Sequence, residues 1–141
     1  MQTLNDKLNK TCYYRHFKTL LDSERYLSID LPYLYKKALS NFRHSGHCLN
    51  IETGRRQQID RELRFCSYCL GSDVFIVEDE MHMLLVCPLC YDIRQELFPQ
   101  NWLTKPICVQ LFYSIMSTTD DTHIYRLSRY LYRAFSFRQA L

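Results

Sequence analysis

Residues 64–90 read RFCSYCLGSDVFIVEDEMHMLLVCPLC, and the fold is decided there. Two residues separate Cys66 from Cys69, twelve more lead to His82, four more to Cys87, and Cys90 follows three positions on. A metal such as zinc takes four tetrahedral ligands from thiolate and imidazole, and a Cys-x2-Cys turn supplies two of them from one tight knuckle. Gly71, Ser72 and Asp73 predict a turn, and Phe75, Ile76 and Val77 a short strand that returns the chain as a β-hairpin. The run from Glu80 to Val86 predicts a helix start whose His82 points back at the knuckle. Pro88 cannot continue an unbroken helix but suits the first turn of a new one ending near Leu97. Cys87 then lies at a joint, which the chemistry requires, because five residues on a continuous α-helix separate two side chains by roughly 140°.

Spacing alone leaves two ligand sets. One is Cys66, Cys69, His82 and Cys87; the other replaces His82 with Cys90, giving two Cys-x2-Cys pairs seventeen residues apart, itself a recognised zinc spacing. A redox role for either pair is disfavoured, since no thioredoxin-like strand and helix pattern surrounds it. Seven cysteines without a secretory leader read as ligands plus free thiols rather than disulfides. Cys12, Cys48 and Cys108 stand singly and are taken as small buried apolar residues.

Outward from the knuckle the pattern is helical. Only three glycines and four prolines punctuate the chain, which disfavours a many-stranded sheet. Tyr14, Phe17, Leu21 and Leu27 form a weak stripe; Leu34, Ala38 and Phe42 form a better one, predicting a helix over 31–44 with Asp30 as N-cap, Pro32 in its first turn and Gly46 beyond its end. Residues 50–64 show little apolar period and read as a connector. Past the knuckle, Thr104 and Pro106 predict a helix start, with Ile107, Leu111 and Ile115 on its apolar face. Thr118 to Asp121 supply caps and negative charge for a last helix, whose buried stripe is Ile124, Leu127, Leu131 and Ala134. The expected organisation is mainly α: a basic helical segment over 1–64, a zinc-stapled knuckle over 65–98 and a C-terminal helical segment over 99–141.

Charge alternates along this plan. Residues 36–64 carry seven basic against three acidic side chains, 66–97 one against six, and 122–141 four arginines with no acid. Arg126, Arg129 and Arg133 share one helix face, with Tyr125, Tyr130 and Tyr132 near for stacking on bases. With Arg43, His47, Arg55, Arg56 and Arg64 they are the candidate phosphate contacts; a solvated basic face is the plain alternative. Three thiolates and a neutral imidazole around a dication add a further negative charge to the knuckle, which repels phosphate, so the knuckle reads as a staple rather than the grip. No apolar run reaches membrane-spanning length and the first residues lack a signal-peptide core, so an intracellular location, nuclear or cytoplasmic, is expected.

From Tyr26 to Leu97 the chain resembles the region downstream of the reverse transcriptase in LINE-type (non-LTR) retrotransposon polyproteins. The matching words are Ala38-Leu39-Ser40-Asn41-Phe42-Arg43, His47-Cys48-Leu49-Asn50-Ile51-Glu52-Thr53-Gly54-Arg55, Arg64-Phe65-Cys66-Ser67-Tyr68-Cys69, Val77-Glu78-Asp79-Glu80-Met81-His82, Cys87-Pro88-Leu89 and Arg94. In that family the ligands are two cysteines, a histidine and a cysteine, and the position of Cys90 is usually tyrosine; the resemblance therefore implies Zn2+ on Cys66, Cys69, His82 and Cys87. It further implies a non-catalytic module that helps a reverse transcriptase hold its RNA template or target DNA. A protein-interaction module docking on a partner or on a polymerase core is the alternative, as is a fragment that no longer functions. The chain departs from a whole polyprotein: Asp120-Asp121 follows two threonines and precedes a helical pattern, so it reads as a cap and not as a polymerase metal site. Neither polymerase nor nuclease activity, and no small-molecule substrate, is expected of what reads as a detached C-terminal piece.

Overall fold

The computed structural model describes residue 18 and residues 23–141; the stripe at Tyr14, Phe17 and Leu21 and the lone Cys12 lie outside them. Among the described residues the chain is mainly helical. In order, it forms α1 (Arg25–Ser28), α2 (Tyr33–Arg43), α3 (Asn50–Arg56), a 3-10 turn (Arg61–Leu63), α4 (Ser67–Leu70), a π-turn (His82–Val86), a second 3-10 turn (Pro88–Cys90), α5 (Tyr91–Leu97), α6 (Gln100–Leu103), α7 (Val109–Met116) and α8 (Asp121–Gln139). The long α8 packs along both α2 and α5.

One large core joins the three stretches of the chain. Leu39 and Phe42 of α2, Met83, Leu84 and Leu85 of the π-turn, Phe112 and Ile115 of α7, and Leu127, Leu131 and Ala134 of α8 meet in it. The stripe predicted for the last helix is buried as expected, and Asp120 caps that helix by accepting the His123 N–H at 2.9 Å. A second, small cluster consists of Cys66, Cys69 and Cys87 with Ile76 and Leu89 against it. At roughly 25 cal/mol per Å2 of apolar surface, burial on this scale stabilises the helical core but not a three-cysteine cluster.

Several elements differ from the sequence expectation. The helix after Asp30 begins at Tyr33 with Pro32 at its N-cap, because proline's fixed φ suits the helix edge. Residues 50–64 are not a plain connector: Asn50–Arg56 is helical and buries Ile51, Glu52 and Gly54. A side chain at Gly54 would meet the Arg64 stem at 2.6 Å, so the glycine admits the arginine across the helix. Thr104 ends α6 instead of starting a helix, and α7 begins after Cys108. The hairpin expected around Phe75–Val77 is reduced to a single antiparallel bridge, Phe65 with Val77, and Phe75 stays exposed.

Candidate metal centre

Each candidate ligand is placed by backbone hydrogen bonds that its local sequence dictates. Cys66 is held by its N–H donating to the Ile76 carbonyl at 2.8 Å, and its own carbonyl accepts from Leu70, closing the turn that brings Cys69 round. Asp73 takes a left-handed backbone (φ 58°), and the Val74 N–H donates to the Cys69 carbonyl, so the chain doubles back after the knuckle. Asp79 accepts the His82 N–H at 2.8 Å, fixing where the helical turn begins. Within that turn the Cys87 N–H donates to the His82 carbonyl at 2.8 Å, an i to i+5 bond. This wider turn, followed by extended backbone at Cys87 (φ −58°, ψ 122°), solves the spacing problem that a plain α-helix would pose.

Cys66, Cys69, His82 and Cys87 are all buried, and their ligand atoms lie within 4.8 Å of one another. Cys66 and Cys87 sulfurs stand 3.9 Å apart, and the Cys69 sulfur stands 3.6 Å from His82 Nε2. Tetrahedral bonds of about 2.3 Å to sulfur and about 2.0–2.1 Å to nitrogen require separations of about 3.8 Å and about 3.6 Å. These two pairs already stand at metal-bridging distance, and the four residues together could hold a metal ion. Cys90 is not among them: it is 1% exposed and packs in the large core, where burial pushes its thiol up, and not in the cluster of the other three cysteines. The four-cysteine alternative is thus not assembled.

Without a cation the donors are poorly satisfied. The hydrogen bond between Cys66 and Cys87 holds the Cys66 thiol well below the ordinary thiol range and pushes Cys87 up. Burial pushes Cys69 up as well. His82 Nδ1 is buried with no partner. Thiols are weak hydrogen-bonding groups, and enclosing polar groups without strong partners costs stability. A dication bonded to three sulfurs and Nε2 would remove the part of that cost borne by the thiols and Nε2.

The surroundings contain residues that the spacing did not announce. Arg94, on α5, is buried and donates to the carbonyls of Leu84 at 2.8 Å, Cys87 at 3.1 Å and Met83 at 3.3 Å. Tyr130 of α8 donates to the Met83 carbonyl at 2.6 Å. Together they tie carbonyls of the π-turn and of Cys87 to α5 and α8, and the guanidinium lies beside a centre that would carry net negative charge with a dication bound. Glu78 is a second tie: it accepts the Asn50 N–H at 2.7 Å at the start of α3 and pairs with Arg138 of α8 at 2.5 Å. Glu80 accepts from Ser45 at 3.2 Å and is paired with His47 at 2.9 Å. The knuckle is therefore less acidic on its surface than the sequence implied, since these two carboxylates point inward.

Several candidate phosphate contacts are paired within the molecule, Arg43, His47, Arg55 and Arg64 with buried partners and Arg133 in an exposed ion pair. Arg43 is buried, pairs with Glu24 at 2.9 Å and donates to the Met116 carbonyl. His47 is buried against Glu80, and Arg64 donates to the Ile59 and Ile51 carbonyls at 2.8 and 3.2 Å. Arg55 pairs with Glu52, and Arg133 pairs with Glu96 at 2.8 Å. Arg43 follows Leu39 by one helical turn, a signal of inward placement that the charge map overlooked. Arg56 and Arg126 remain exposed, and Arg129 is half-buried with its Nε unpaired. Comparison with family models, curated proteins and solved structures found no match. The resemblance to LINE-type polyproteins is carried by its motif residues alone.

Proposed function

We propose that this chain is a non-catalytic, zinc-stapled helical module related to the C-terminal region of LINE-type reverse transcriptases, and that it assists in holding RNA template or target DNA. The observation that carries the zinc reading is the donor set itself: three buried sulfurs and one imidazole nitrogen gathered within 4.8 Å, two of the pairs at 3.9 and 3.6 Å, with no carboxylate among them. Soft sulfur ligands in a closed tetrahedral site select zinc over calcium, magnesium or manganese, and a site whose four positions are all protein leaves none open for a substrate or reactive water. The ion would orient Cys66 to Cys87 as a structural clamp and supply no reaction step.

The nucleic-acid reading rests on Arg56, Arg126 and Arg129 with the exposed Tyr125. The competing protein-docking reading drew on acidic knuckle residues, and Glu78 and Glu80 are withdrawn from the surface, which favours the former. Metal analysis of the purified chain should find one zinc per chain, retained by Cys90→Ser and lost by His82→Ala; the opposite pattern would falsify the ligand set. A single-stranded oligonucleotide should bind with steep salt dependence, and Arg126→Gln with Arg129→Gln should flatten the slope by about 1.4. A wild-type curve with no measurable binding would remove the nucleic-acid reading.

A further inference from the structure

An open groove runs between α2 and α8, lined by none of the four candidate metal ligands. Its walls are matching helical stripes: Leu34, Lys37 and Asn41 on α2 face Tyr132, Phe135 and Gln139 on α8. Each set recurs at i, i+3 and i+7, so each lies along one side of its helix. The loop at His47 and Cys48 closes the groove, and Arg56 stands at its rim, donating to the His47 carbonyl at 3.2 Å. The groove has a volume of about 390 Å3.

The lining chemistry is one-sided. Lys37 and Arg56 bring two positive charges, and no carboxylate lines the groove. The acids nearest in the fold are already occupied, Glu80 by His47 and Ser45, and Glu78 by Arg138 and Asn50. Phe135 stacks on His47 with ring centroids 6.0 Å apart, and Tyr132 leans on Tyr35 at 5.4 Å, so both rings are held in place. Asn41 and Gln139 supply amides at the two exposed edges. Fixed aromatic rings beside a positive track are the recurring means by which single strands are bound, the rings taking bases and the cations phosphates. Pockets for small ligands start at about 300 Å3, so this one takes a single unstacked nucleotide and not a base-paired duplex.

We propose that the α2–α8 groove is a single-stranded nucleic-acid subsite, in which Lys37 and Arg56 contact neighbouring phosphates and the Tyr132–Phe135 wall receives one unstacked base. The proposal rests on the nucleic-acid reading above, and its test separates the two. The zinc-loaded chain is titrated with fluorescent oligouridylate and oligothymidylate over a salt series, alongside Lys37→Gln with Arg56→Gln, Arg126→Gln with Arg129→Gln, and Asn41→Asp. In parallel, alkylation of Cys48 by iodoacetamide is followed by peptide mass spectrometry with and without oligonucleotide. The groove double variant should flatten the salt slope by about 1.4, two contacts at about 0.7 each on a single strand. Asn41→Asp, which puts a carboxylate in the groove at an exposed position, should weaken binding several-fold, and bound oligonucleotide should protect Cys48. Wild-type binding with an unchanged slope in the groove variant, or with Cys48 unprotected, overturns the groove and leaves nucleic-acid binding standing. No binding by the wild type overturns both.

Discussion

The two halves of this molecule are held together by different physics. Around α2, α7 and α8 the interior is filled by large apolar side chains, among them Phe42, Phe112 and Leu131. Around the knuckle only three cysteines with two flanking aliphatics are gathered, while Val74 and Phe75 face solvent. The first half can be stabilised by burial alone. The second has turns, backbone hydrogen bonds and donors poised for a cation, and too little apolar area to close by itself. Where a core cannot be large, coordination takes its place.

The largest expected effect tests that contrast. Structural zinc in small modules contributes about 10–16 kcal/mol, comparable to the whole net stability of a domain at about 5–15. Stripping the metal, or His82→Ala, should therefore abolish hydrogen-exchange protection over residues 64–77 while the α2–α8 contact, and Met83 to Leu85 packed in the same core, keep measurable protection. Uniform loss across both halves would show that they form one cooperative unit. Phe42→Ala should do the reverse, costing about 3–5 kcal/mol in thermal or denaturant unfolding while metal stoichiometry stays at one.

Arg94 lies on the border, so its substitution should register in both halves. Arg94→Ala takes the guanidinium from the Leu84 carbonyl and a second donor from those of Met83 and Cys87, which keep Tyr130 and the Cys90 N–H, and should cost about 3 kcal/mol or more, from several charge-assisted bonds of about 1.5–3 kcal/mol each. Zinc affinity, measured by competition with a chelator, should fall roughly 10–100-fold, as with other groups that orient ligands. Unchanged affinity would confine Arg94 to the helical half. Acidity should act on the knuckle alone: protons on Cys69 and Cys87, both held above the ordinary thiol range, must leave before sulfur binds metal. Affinity should therefore fall as pH falls, by about tenfold per proton displaced per pH unit; a flat profile between pH 6 and 8 would argue against thiolate ligands. The smallest effect is expected at Asp120→Ala, about 1 kcal/mol from the lost cap of α8, with both metal and groove untouched.

What could be read from the sequence follows the same division. The knuckle's cysteines and histidine carry their chemistry in residue type and spacing, so Cys66, Cys69, His82 and Cys87 were nameable in advance; only the choice against Cys90 needed the family resemblance. Residues such as Ile124 and Leu131 were equally legible, because a buried stripe repeats with the helical period. Charges were not. Arg43, His47 and Arg64, and likewise Glu78 and Glu80, read as surface until partners distant in sequence are known, and only folding brings Arg138 to Glu78 across sixty positions. The α3 helix was missed for a related reason: a seven-residue element held by Glu78 at its start and Arg64 across Gly54 shows almost no periodicity of its own.

The π-turn from His82 to Val86 makes chain length as binding a requirement as residue identity. Deleting one residue there would turn the i to i+5 closure into an ordinary α-helical turn and rotate Cys87 by about 100°, carrying its sulfur out of reach of the other three donors. Inserting one would have the same result in the other direction. Between these two ligands, substitutions that keep apolar character are far better tolerated than any change in count, so length variation among related chains should collect in the exposed turn between Cys69 and Ile76 instead.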